Sequence, residues 1–112
     1  MNSLQDVAAI LTEVKRIGDK MAADSRTGST MEDAKAIFRQ AERSFSELQT
    51  RVNALKLSRE DRQHMRLLRK GLAIAIKANQ LGVKGKYGQA QLKGDEAAGL
   101  IVEYTRRVIG NV

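Results

Sequence analysis

Residues 58–86 read SREDRQHMRLLRKGLAIAIKANQLGVKGK, and this stretch decides the fold. Arg59, Arg62, Arg66, Arg69, Lys70, Lys77 and Lys84 recur at spacings of three, four or seven. At about 100° per residue they share one side of a helix. Met65, Leu68, Leu72, Ala75, Ile76 and Val83 fall on the opposite arc, and Leu67, Ile74 and Ala78 widen it on one flank. An apolar arc this wide needs more than one neighbouring helix to cover it. The basic stripe is the part left to water. Ser58 followed by Asp61 is a helix-start signal, because hydroxyl and carboxylate can both accept from unpaired N–H groups. The spacing predicts a helix over 59–81.

Upstream, Met31, Ala34, Phe38, Ala41, Phe45, Leu48, Val52 and Leu55 keep an alternating three–four spacing, which is a heptad seam. Ser29 with Glu32 reads as its capping pair, so a helix is expected over 30–56. Only Lys56-Leu57 separates it from the next, which implies a helical hairpin. Further upstream, Leu4, Val7, Leu11, Val14, Gly18 and Met21 form a stripe flanked by Ala8, Ile10, Ile17 and Ala22. This predicts a first helix over 3–23, with Ser3 and Asp6 at its start. Asp24-Ser25-Arg26-Thr27-Gly28 reads as the turn that ends it. Downstream, Tyr87, Ala90, Gly94, Ala97, Ile101, Tyr104 and Val108 continue a heptad through a glycine-rich segment. The fourth helix is therefore expected over 86–109 rather than from Asp95, with Gly110 as its stop. Ala90, Gly94, Ala97 and Ala98 would let another helix approach closely. The fold expected is all-α, an antiparallel up-and-down four-helix bundle in one domain over 1–112.

Bulk composition agrees. The 112 residues are 42% apolar and 29% charged but only 4% aromatic, so the core must be aliphatic. There is no Pro to break long helices and no Cys for disulfides or thiolate metal sites. The first residues lack the pattern of a signal peptide, and no apolar run is long enough to span a bilayer, so a cytoplasmic protein is expected. Net charge is +7 and unevenly placed: residues 58–83 carry six basic and two acidic groups, residues 1–29 four of each. Such a field points to an anionic partner.

Met65–Ile74 (MRLLRKGLAI) and Gly85–Ala90 (GKYGQA) on to Tyr104 resemble the third and fourth helices of the cytochrome b562 family. The resemblance would imply haem held by a Met early in helix one and a His late in helix four. The matching neighbourhoods are Val7-Ala8 and Tyr104-Thr105, so the likeness is one of shared helical-bundle pattern and no haem is expected.

Other chemistry finds little purchase. His64 is the sole His and no nucleophile has a local claim on it. Asp61 and His64 have the i, i+3 spacing of bundle metal sites but occur once, so no metal or other cofactor is expected. Gly82–Gly88 has the composition of a phosphate loop without its pattern or a preceding strand. The candidate site is therefore the basic stripe Arg59, Arg62, Arg66, Arg69, Lys70, Lys77, Lys84, extended by Lys86. The expected role is a non-catalytic interaction module that binds an acidic protein surface or assembles with itself. The alternative is a sequence-nonspecific nucleic-acid-binding protein. Against that alternative, no aromatic side chains are interleaved with the stripe.

Overall fold

The structure, a computed structural model, describes residues 3–28 and 30–109. Among the described residues there are four helices and no strand: α1 (Ser3–Thr27), α2 (Met31–Asn53), α3 (Arg59–Val83) and α4 (Tyr87–Ile109). Helices consecutive in the chain pack on one another. The core is aliphatic with two rings: Ile10, Val52, Met65, Leu68, Leu72 and Tyr104 are almost wholly buried, and Phe45 joins them.

The helix ends explain themselves chemically. α1 does not stop at Ala23 but runs through the expected turn to Thr27. Ser25 Oγ donates to the Met21 carbonyl at 2.7 Å and Thr27 Oγ1 to the Asp24 carbonyl at 3.1 Å. These hydroxyls bond back along the helix instead of breaking it. α2 is capped by Thr30, one residue later than expected. Thr30 Oγ1 accepts from the Asp33 N–H at 3.0 Å, and the Thr30 N–H donates to Asp33 Oδ2 at 3.3 Å, a complete capping box. The Ser29 half of the expected cap lies outside the described residues, as does Gly110. The start signals at Ser3 and Asp61 rest on side chains that are likewise outside them.

α2 ends at Asn53, not at 56, with Ala54 as its C-cap, so the link to α3 is longer than two residues. α3 ends two residues beyond Leu81 in a Schellman turn. The Lys86 N–H donates to the Leu81 carbonyl at 2.9 Å and the Gly85 N–H to the Gly82 carbonyl at 3.0 Å. Gly85 has φ +79°, the left-handed conformation this motif places at C′. α4 then starts at once, at Tyr87, which decides the early start over Asp95.

Two glycines set the packing of α3. A Cβ on Gly71 would stand 2.8 Å from Ile101 Cγ1 and 3.3 Å from the Ala97 carbonyl oxygen, so α3 and α4 approach closely there. A Cβ on Gly82 would run into the Phe38 ring, which lies over the end of α3 and stacks on Tyr87 with centroids 5.9 Å apart. α1 is seated less tightly. No Cα of α1 lies within 8 Å of one in α3 or α4 among the described residues. The helix is also rotated from its expected stripe: the flanking Ile10 and Ile17 are buried with Val7, while Leu11, Val14 and Met21 are half-buried and Gly18 is exposed. The α2 seam departs only at its first position, where Met31 is exposed. The α4 seam likewise exposes Tyr87.

Candidate functional site

The side of α3 turned away from the core carries the basic stripe. Arg59, Arg62, Arg66, Lys70 and Lys77 are exposed along it, and Lys84 and Lys86 are exposed on either side of Gly85. Arg69 differs: it is half-buried at the edge of the stripe nearest α2. Gln49 of α2 donates to the Arg69 carbonyl at 3.3 Å, and both Arg69 Nε and Gln49 Oε1 are buried without a hydrogen-bond partner. Arg69 thus belongs partly to the α2–α3 seam and only partly to the open face.

Charge pairing separates this face from the middle of α1 and from α4, whereas Arg26, Arg39, Arg43, Arg51 and Lys56, like the stripe, make no ion pair among the described residues. On α1, Lys15, Arg16 and Lys20 each bind a carboxylate one turn away, at 2.7, 2.9 and 2.8 Å. The double hydrogen bond from Arg16 holds the Glu13 carboxyl below its ordinary range, and Glu13 in turn raises Arg16. Lys93, Arg106 and Arg107 on α4 have local acidic partners as well. Among the described residues no cation of the stripe makes an ion pair.

Part of the stripe is drawn into a concavity. Arg66, Arg69 and Lys70 line a shallow depression of about 520 Å³ together with Gln63, Leu67 and Arg107 of α4. Sequence reasoning missed Arg107, because only the packing of α4 on α3 brings it beside Arg66 and Lys70. Arg59, Arg62, Lys77, Lys84 and Lys86 do not line this depression and extend the face on either side of it. The elongated arrangement can offer guanidinium forks and ammonium groups to a row of anionic oxygens.

His64 is half-buried near the start of α3. Among the described residues no three His, Cys, Asp or Glu side chains cluster as metal ligands would. Nor, among them, is any helix long and apolar enough to cross a membrane. Known protein families, characterised proteins and solved structures yield no match to this chain.

Proposed function

We propose that this protein is a non-catalytic, cytoplasmic interaction module, an antiparallel up-and-down four-helix bundle whose α3 face binds an acidic protein surface. The topology is supported by the short connections, by the close approach of Gly71 to Ile101, and by Arg66 and Arg107 lining one depression across α3 and α4. The observation that carries the function is the row of cations gathered on one face of α3, none of which makes an ion pair among the described residues, beside the locally paired Lys15, Arg16, Lys20, Lys93, Arg106 and Arg107 of α1 and α4.

Such a face opposes folding. Arg59/Arg62, Arg62/Arg66, Arg66/Arg69 and Arg66/Lys70 are like-charge pairs three or four apart. Each costs a few tenths of a kcal/mol (about 0.2–0.5). They also crowd the first half of α3, where the helix dipole already disfavours cations. An anionic partner would relieve both effects.

Spacing favours a helical acidic partner. Arg59 to Arg66, Lys70 to Lys77 and Lys77 to Lys84 are each one heptad, about 10.5 Å along the axis. Carboxylates on a heptad repeat have the same period, whereas phosphates follow one another about every 3.4 Å along each DNA strand. Self-assembly draws less support: the exposed large apolar residues Met31, Tyr87, Leu92 and Val102 are scattered over α2 and α4.

The test is a fluorescence-anisotropy titration with a labelled helical peptide carrying Glu at each heptad position, and in parallel with mixed-sequence duplex DNA. Each is run at low and at physiological salt. The proposal expects saturable peptide binding that weakens with salt and is lost in an Arg66→Gln/Lys70→Gln/Lys77→Gln variant of unchanged or higher thermal stability. Absence of peptide binding at low salt overturns it. Tighter binding of DNA, lost in the same variant, replaces it with the nucleic-acid reading.

A further inference from the structure

A second cleft, as large as the depression on the cationic face, lies away from that face. It lies between α1 and α4, floored by α2 and α3, and has a volume of about 530 Å³. Small residues line its two walls: Ala90, Gly94, Ala97 and Ala98 on α4, and Gly18 beside Val14 and Met21 on α1. Small side chains ordinarily let helices close on one another, as Gly71 does for α3 and α4. Here the two helices stay apart, and a Cβ added at Gly18 or Gly94 would meet nothing within 4 Å. The result is space rather than contact.

A buried polar group faces that space. Asn79 lines the cleft and is only 4% exposed. Its Nδ2 donates to the Ala75 carbonyl at 2.8 Å. A carbonyl only accepts, so the amide nitrogen must be the atom turned to it. The amide oxygen is left without a hydrogen bond from any described residue. That oxygen is not among the side-chain atoms shut off from solvent without a partner, so it opens onto the cleft as an accessible acceptor. At one end of the cleft the stacked rings of Phe38 and Tyr87 supply a flat apolar wall, and Phe45 adds a third ring. No cation lines it, and its one carboxylate, Asp95, is exposed. An anionic ligand is therefore disfavoured.

We propose that the cleft binds a neutral, apolar small molecule bearing one hydrogen-bond donor, its body along α4 and its donor on Asn79 Oδ1. The volume falls in the range of small-molecule pockets, which are mainly apolar with a few placed polar groups. The site is separate from the α3 face, so either can fail alone.

Two fluorescent probes test this on the full chain. N-phenyl-1-naphthylamine is neutral and has one N–H donor; 1-phenylnaphthalene has the same rings and no donor. The expected result is a saturable, one-to-one rise in emission for both, with the amine bound several-fold to tenfold tighter. Asn79→Leu removes the acceptor and is expected to abolish that preference. Gly94→Leu fills the cleft with a better helix former and is expected to weaken both probes at least tenfold, with helical content and thermal midpoint kept or raised. Absence of saturable binding overturns the proposal. So does equal binding of the two probes by the unaltered protein, or undiminished binding by folded Gly94→Leu.

Discussion

Replacing Gly71 by Ala isolates the contact that joins α3 to α4. The new Cβ would lie 2.8 Å from Ile101 Cγ1 and 3.3 Å from the Ala97 carbonyl oxygen. The first is nearer than nonbonded carbons approach at their optimum, about 3.5–4.0 Å. Either Ile101 leaves its rotamer or the helices part, and overpacking of this kind costs about 1–3 kcal/mol. Against it stands the helix-propensity gain of Gly to Ala, about 1 kcal/mol. Gly94→Ala supplies the reference, since a Cβ there meets nothing within 4 Å and only the propensity gain remains. Propensity cancels between the two variants, so Gly71→Ala should be less stable than Gly94→Ala by about 1–3 kcal/mol. At roughly 4 °C per kcal/mol, thermal midpoints should differ by about 4–12 °C. Urea denaturation gives the free energies directly. An Ile101→Ala background removes the clashing atom and should shrink the gap, with a favourable coupling free energy in the cycle. Equal stability of the two single variants would refute the close approach of α3 and α4 at Gly71.

Three further outcomes follow from local geometry. Thr30→Ala removes the hydroxyl that accepts from the Asp33 N–H and should cost about 1 kcal/mol in urea denaturation, while Thr30→Ser should cost little. Gly82→Ala drives the new methyl into the Phe38 ring, so it should destabilise by about 1–3 kcal/mol, and trimming that ring in Phe38→Leu should recover part of the loss. The Glu13 carboxyl, held low by Arg16, contributes stability at pH values above its unfolded pKa and loses it as pH falls through the folded one. NMR titration should find Glu13 ionised below the usual carboxylate range, and Arg16→Gln should return it there.

Helix periodicity carried most of the fold. The α2 seam of Ala41, Phe45, Leu48 and Val52 and the α3 arc of Met65, Leu68 and Leu72 are buried as their spacing implies. The heptad through the glycines after Val83 was enough to start α4 at Tyr87. What escaped depends on tertiary context. Two apolar lines of similar strength lie side by side on α1, and packing buried the flanking Ile10 and Ile17 with Val7 in preference to Leu11, Val14, Gly18 and Met21. The run Asp24–Thr27 has turn composition, but its hydroxyls find helical carbonyls one turn back.

The basic stripe was legible as a stripe. Its burial at Arg69 was not, because charge alone does not say which flank α2 covers. Arg107 needed the register of α4 against α3. Asn79 did leave a signal: it sits one heptad after Leu72, within the apolar arc of α3, where a polar residue must find a partner or a cavity.

The central claim, that an acidic helical partner docks along α3, is tested most directly by mapping where it binds. Amide shifts of ¹⁵N-labelled protein would be followed as the Glu-heptad peptide is added at low salt. Shifts concentrated at Arg66, Lys70, Lys77 and Arg107, with the paired cations Lys15 and Lys20 of α1 unmoved, are the result this account predicts. Shifts centred on α1, or spread evenly over every Lys and Arg, would contradict it.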